Sequence, residues 1–457
     1  MDPTVLFTAE IAVMGAASVV PLFLPWEARW PFTTIAAWTA FGLALPLAVM
    51  QPEAGLAHGV LCLDPLSDVM VGVTAALYAV SATASRYSLP MMKRFFLPDR
   101  LYWGLLSAFA LTITLAATSV DVGYAWMWLE ASTIVSAALI LVEGEKACIE
   151  GAWRYLIVAS TGLSIGLLSV VVAIKAAGTS DLLSLAFKDP TVASAVAGLA
   201  LVGFGTKVGL FPMHAWLPDA HGTAPAPVSA MLSGALLPAA LVVYVRVMSA
   251  CVSSGAHSVV PVTVTVGALT TLVAALLMTV QRNIKRTFAY SSMDVMGVAT
   301  AGFGASVYDP GLVGPLMALI AVHALGKAGL FYTAGVLHRY HGIKRLDDVR
   351  GLGRSAPGLA LGAVLGALAV TGAPPFATFP AEVRTLTDLA THEPAQAVLL
   401  GVGMTVAFFA LNFKVVRMVV GDGGPEAPRG AQALVGTVGS AALGLSLYLL
   451  TTWKPIP

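Results

Sequence analysis

Runs of about twenty apolar residues, each closed by a short polar turn, follow one another along almost the whole chain. A helical run of that length matches the hydrocarbon thickness of a bilayer. The runs fall near 4–24, 31–50, 65–84, 100–118, 121–142, 152–175, 192–212, 226–249, 258–280, 287–306, 312–337, 357–390, 394–420 and 431–452. About fourteen spans are therefore expected. In hydrocarbon a backbone must satisfy its own polar groups, so runs of this length read as helices. The sequence thus predicts an all-α polytopic membrane protein, one membrane domain over 1–457. Composition agrees, with 58% hydrophobic and only 11% charged residues, where a soluble domain carries about 25% charged. The net charge of +1 points to no nucleic-acid partner.

Basic residues orient the spans. One set of alternate loops carries eighteen Lys and Arg residues, among them Arg29, Lys93, Arg94, Arg286 and Arg429. The opposite set carries three, Lys175, Lys188 and Lys454. An even number of spans in this register places both termini away from the cytoplasm, in the cell's inner (cytoplasmic) membrane. Met1-Asp2-Pro3 lacks a basic flank and Glu10 interrupts the first run, so that run is expected to be retained as a span. Glu10 faces either a neighbouring helix or a headgroup. Cys62, Cys148 and Cys251 show no paired spacing and read as packing thiols. A disulfide between Cys62 and Cys251, on the shared outer side, stays open.

Charge inside the apolar runs is the functional signal. Lys207 lies in Val196–Pro212, and an ammonium at the membrane centre costs roughly 2.5–3.5 kcal/mol on insertion scales. Glu130, His323, Lys327 and Glu382 lie at similar depth in other runs. His323 and Lys327 are four apart and share a helix face. A buried lysine gives up its proton more readily, and a nearby carboxylate reverses that, so a Lys/Glu pair can switch between holding and releasing a proton. Glu130 is the candidate partner of Lys207, His323 a relay, and Glu382 the terminal group.

Prolines break two of the same runs. Pro212 removes a backbone donor one turn past Lys207's neighbour Val208, and Pro374, Pro375 and Pro380 do the same just ahead of Glu382. Interrupted helices in two halves of a chain point to a transport pathway. Discontinuous helices are thus expected near 207–212 and 374–382. The cluster His214, Asp219 and His221 matches no zinc spacing, so no metal site and no cofactor is expected. His338 and His341 read as a solvated cytoplasmic loop. Asp294, like Lys285 and Arg286, reads as a residue near a helix start, explained by capping and the positive-inside bias.

The stretch Gly205-Thr-Lys-Val-Gly-Leu-Phe-Pro-Met-His-Ala-Trp-Leu-Pro-Asp-Ala-His, followed by Ala224-Pro-Ala-Pro-Val-Ser-Ala-Met-Leu-Ser-Gly, resembles the central signature of the antiporter-like membrane subunits. That family includes subunits of respiratory complex I, Mrp-type multi-subunit sodium/proton antiporters and membrane-bound hydrogenases. The likeness continues through Lys285-Arg-Thr-Phe-Ala-Tyr-Ser-Ser, His323-Ala-Leu-Gly-Lys-Ala-Gly-Leu-Phe and Gly372-Ala-Pro-Pro-Phe-Ala-Thr-Phe-Pro-Ala-Glu. Leu129-Glu-Ala-Ser-Thr and Glu150-Gly-Ala-Trp-Arg-Tyr-Leu-Ile look most like component F of hydrogenase-4.

The resemblance covers roughly residues 60–420. It implies two inverted five-helix repeats, over about 100–250 and 258–420, and proton transfer along Glu130, Lys207, His323, Lys327 and Glu382. One departure stands out: the eighth helix carries Ser233 and Pro238 where relatives commonly have a lysine or histidine, so Ser233 or water would have to bridge. The expected function is a proton-translocating subunit of a multisubunit membrane redox complex. Electron transfer would then lie in partners, such as nickel–iron hydrogenase and iron–sulfur subunits. The alternatives are an inorganic-carbon uptake complex, a sodium/proton antiporter, or a degenerate structural scaffold.

Overall fold

The computed structural model describes residues 2–50, 56–58, 60–89 and 96–452. Lys93, Arg94 and Lys454, used above for orientation, lie outside them. The helices in chain order are α1 (Pro3–Val19), α2 (Trp26–Met50), α3 (Pro65–Ser88), α4 (Asp99–Thr118), α5 (Val122–Leu141) and α6 (Lys146–Ala177). They continue with α7 (Pro190–Val208), α8 (Leu217–Thr223), α9 (Ala226–Met231), α10 (Leu237–Ser253), α11 (Val259–Val280) and α12 (Ile284–Ala305). The remainder are α13 (Val313–His341), α14 (Leu352–Ser355), α15 (Pro357–Val370), α16 (Thr378–His392), α17 (Pro394–Val419) and α18 (Arg429–Thr452). The described strands form one short antiparallel pair, Leu56–His58 with Leu61–Leu63. Eleven of the described helical segments are long and apolar enough to cross a membrane. The protein is an all-α polytopic membrane protein.

Two compact units divide the chain. The first comprises Met1–Arg86, Lys93–Gly209 and Ala235–Val259. Two of its helices start where the sequence supplies an acceptor: Asp121 caps α5 by accepting from the Gly123 and Tyr124 amides, and Asp189 caps α7 by accepting from Thr191. The closest packing is between α6 and α7. Gly162 and Gly166, one turn apart on α6, lie against Thr206 and Gly203; a Cβ on Gly203 would stand 2.4 Å from the Gly166 Cα. Small residues at that spacing let membrane helices approach closely. Glu10 is fully covered by protein rather than turned to a headgroup. All three cysteines are buried and none is in a disulfide, so Cys62 and Cys251 are not bridged.

The first expected break is present. Helix α7 stops at Val208 and Gly209, at φ 85°, turns the chain while its amide bonds the Gly205 and Thr206 carbonyls at 3.0 and 3.2 Å.

The second unit comprises Tyr87–Met92, Leu210–Gly234 and Val260–Pro457. Here the chain runs through a 3₁₀ turn at Met213–Trp216 into α8. Phe211, just ahead of Pro212, has its amide taken by Thr270 at 3.0 Å. A π-turn over Leu232–Leu236 follows α9 and holds Ser233. The long run at 357–390 resolves into α15 and α16, separated by a turn with Gly372 at φ 62°. Carbonyls freed by this break are re-satisfied locally: Leu368 accepts from the Ala373 amide and Ala369 from Thr378 Oγ1. Irregular backbone in a membrane protein needs such partners.

Two expectations are corrected here. Asp294 is not at a helix start: α12 begins at Ile284, capped by Asn283, and Asp294 lies in its buried interior. His338 and His341 are not in a loop, because α13 continues to His341 and ends on Gly342 in the left-handed conformation.

Candidate proton-carrying site

In the first unit Lys207 is fully buried in the last turn of α7. Its ammonium donates to Thr133 Oγ1 at 2.6 Å and to the Tyr155 hydroxyl at 2.5 Å. The same nitrogen lies 4.8 Å from the Tyr155 ring centroid. Tyr155 and Ser136 share a further hydroxyl hydrogen bond at 2.8 Å. The contact of Gly162 and Gly166 with Thr206 and Gly203 makes this meeting feasible, since Tyr155 lies two turns before Gly162 on α6 and Lys207 follows Thr206 on α7.

Glu130 lies one turn before Thr133 on α5. Its Oε1 accepts from Ser160 Oγ at 2.7 Å, while Oε2 has no hydrogen-bond partner. Glu130 and Lys207 act on each other through charge, without a direct ion pair. The lysine is thus held by neutral hydroxyls and its carboxylate by a serine.

In the second unit Lys327 and His323 are both fully buried on α13. Lys327 donates to the Phe288 carbonyl at 2.8 Å and to the Ser291 hydroxyl, both on α12. Asp294, one turn beyond Ser291, acts through charge on Lys327 and on Glu382. Its Oδ1 has no hydrogen-bond partner. The His323 ring lies against the Ser233 backbone, with neither nitrogen in hydrogen-bond geometry with the protein. Ser233 itself shares a hydroxyl hydrogen bond with Ser292 at 2.7 Å. Glu382 packs its carboxylate over the broken-helix turn. A Cβ on Gly372 would stand 1.8 Å from Glu382 Oε2, so only glycine leaves room.

Within the first unit Glu130 and Lys207 act on each other through charge; within the second, Asp294 acts on Lys327 and Glu382, and Lys327 on His323. Two members do not stand out in the sequence. Asp294 follows the basic pair Lys285-Arg286 closely enough to read as part of a helix start, although an acid in the apolar interior of a helix is a signal. His221 reads in the sequence only against a metal spacing. It is fully buried, its Nδ1 donating to the Leu217 carbonyl at 2.9 Å, its ring 5.7 Å from Phe331 and its Nε2 unpartnered. Charge couples it to Lys327 and His323. Its neighbour Asp219 instead pairs with Arg286 at 2.5 Å. No group of three or more His, Cys, Asp or Glu among the described residues has metal-holding geometry.

Buried lysines and carboxylates threaded through broken membrane helices define an antiporter-like membrane subunit. Residues 119–408 match the family described as NADH:quinone oxidoreductase/Mrp antiporter, transmembrane, and the chain belongs to that family. Over 345 residues it is 32% identical to the hydrogenase-4 component F homolog of Methylacidiphilum infernorum (isolate V4), covering 72% of this chain and 71% of that one. Its fold is similar to that of a chain in respiratory complex I from Thermus thermophilus. There the TM-score is 0.84 and the identity 22%, with 96% of this chain and 95% of the other covered. A chain of the Mrp complex from Dietzia sp. DQ12-45-1b gives a TM-score of 0.86 at 17% identity, covering 98% and 94%.

Proposed function

We propose that this chain is the proton-translocating subunit of a multisubunit membrane redox complex of hydrogenase-4 type, seated in the inner membrane with both termini away from the cytoplasm. Lys207 and Lys327 are the proton carriers. Glu130 and Asp294 are the carboxylates that set how tightly each lysine holds its proton, and Glu382 is the terminal group. His323 and His221 relay protons within the second unit, Ser233 serves there as a hydroxyl bridge, and the two halves act as inverted repeats. Electron transfer belongs to partner subunits, of which nickel–iron hydrogenase and iron–sulfur proteins fit the hydrogenase-4 relationship.

One observation carries this reading. Each buried lysine is held by neutral acceptors, with its carboxylate one step away rather than in contact. A tight buried ion pair would lock the proton in place. A lysine on hydroxyls and a carbonyl can lose its proton and keep its position. A small movement of the carboxylate then changes the balance between the two states. Conformational or electrostatic change at a partner interface would supply that movement.

Purified complex carrying Lys207→Met should assemble and lose coupled proton uptake in proteoliposomes. Unchanged uptake in that variant contradicts the assignment. Mass spectrometry of the copurifying proteins identifies the machine. Iron–sulfur or hydrogenase subunits support the redox complex, whereas small antiporter subunits or a soluble zinc protein overturn it.

A further inference from the structure

The first unit contains a second set of ionisable residues, built from α3 and α10 and separate in composition from Glu130 and Lys207. Asp64 caps α3. Its Oδ1 accepts from the Ser67 amide at 2.7 Å, while its own amide donates to Ser67 Oγ at 2.8 Å. Arg246 on α10 closes on the same carboxylate, Nη2 reaching both oxygens at 2.8 Å, and its Nη1 donates to the Ala117 carbonyl at 2.6 Å. The pair is largely shielded, with side-chain exposures of 10% and 17%.

Asp68 lies one turn further along α3 on the same face. It is only 1% exposed, and neither carboxylate oxygen has a hydrogen-bond partner. The charged groups acting on it are Asp64 from its own helix and Arg246 from α10. Asp64 is therefore saturated with donors while its neighbour has none. An ionised carboxylate shut away from water without a donor is strongly disfavoured, whereas the neutral acid is tolerated. Two arrangements satisfy the cluster. In one, Asp68 is a neutral acid and Arg246 stays on Asp64. In the other, Asp68 is ionised and Arg246 is shared between the two carboxylates.

We propose that Asp68 is a second proton-binding position of the first unit, gaining and losing a proton as the Arg246 guanidinium shifts between Asp64 and Asp68. When the proton leaves for water or a neighbouring carrier, one negative charge appears on Asp68, and the guanidinium, which keeps its own charge throughout, moves to meet it. The two carboxylates then titrate as a coupled pair. Only the use of this site in pumping rests on the function proposed above; the proton binding itself does not.

Dicyclohexylcarbodiimide is the probe. It adds to a protonated carboxyl in apolar surroundings: the acid proton passes to a carbodiimide nitrogen and a carboxylate oxygen bonds to the central carbon. The purified complex is treated at neutral pH and the adducts are mapped by peptide mass spectrometry. The expected result is an adduct on Asp68 and none on Asp64. In Asp64→Asn, Arg246 is free to engage Asp68, and the Asp68 adduct should fall by about tenfold at the same pH. In Arg246→Gln the Asp68 adduct should be at least as abundant as in the wild type.

An adduct on Asp64 alone, or on neither residue, overturns the proposal, and this arm needs no variant to fold. Equal Asp68 labelling in the wild type and Asp64→Asn overturns the shift of Arg246. A normal labelling pattern beside failed pumping assays would count against the proposed function alone, so the two can fail separately.

Discussion

Lys207 and Lys327 are both fully buried, yet they are held differently. Lys207 rests on two side-chain hydroxyls from two helices, Thr133 and Tyr155. Lys327 rests on a backbone carbonyl and one hydroxyl from a single helix, Phe288 and Ser291. In each case a hydroxyl and a carboxylate stand three residues apart on the neighbouring helix: Glu130 and Thr133 on α5, Ser291 and Asp294 on α12. The order is reversed between the two. The second lysine also acts through charge on His323 and His221, while its carboxylate Asp294 acts on Glu382. One chemical device is thus built twice from different residues. The Lys207 version can be dismantled by side-chain substitution alone; the Lys327 version keeps its backbone acceptor whatever the sequence.

The largest effect should come from exploiting that difference. Thr133→Val combined with Tyr155→Phe strips Lys207 of both acceptors, at about 1.5–3 kcal/mol for each bond to a charged group. That sum is comparable to a membrane protein's whole margin, so the double variant should lose assembled complex or coupled proton uptake, measured by yield and in proteoliposomes. Ser291→Ala should be milder, within about 1.5–3 kcal/mol, because Phe288 still accepts from Lys327. If Ser291→Ala proves as damaging as the double variant, the distinction between the two lysines fails.

Packing gives a third prediction. Gly203→Ala drives a methyl into the Gly166 backbone and should lower thermal stability in detergent by about 1–3 kcal/mol. Gly198→Ala on the same helix meets nothing within 4 Å and should not destabilise. Equal melting temperatures for the two would mean that the α6–α7 contact is looser than described.

The smallest effect concerns Asp64. Burial pushes its carboxyl up, but the Arg246 charge and the Ser67 hydrogen bonds outweigh this and hold it below the usual carboxylate range. The stabilisation is therefore fully present above about pH 3.9, the ordinary aspartate value, and is lost as pH falls through the lower folded value. Unfolding measured across that acid window should show a slope in the wild type that Asp64→Asn lacks.

Much of this was visible in the sequence, for physical reasons. Helix positions follow from apolar length, and the breaks after Val208 and Val370 follow from prolines that cannot donate. Lys207, Lys327, His323 and Glu382 stand out because charge is rare in hydrocarbon. The hydroxyl partners do not stand out. Tyr155, Ser160, Thr133 and Ser291 are ordinary in membrane helices, and which of them reaches a lysine depends on helix rotation and on close contacts such as Gly203 with Gly166. For the same reason the sequence paired Glu130 with Lys207 but could not show the hydroxyls that hold each of them. Asp294 is masked in the sequence by the basic start of its helix, Lys285-Arg286.

The central claim is that a buried lysine works by releasing its proton, and Lys207→Arg tests it most directly. Arginine keeps the positive charge and the donor capacity but does not deprotonate in proteins. Proton uptake by reconstituted complex should be as fully lost in Lys207→Arg as in Lys207→Met, with the complex still assembled. Wild-type uptake in Lys207→Arg would show that only the charge is needed, and would contradict the account.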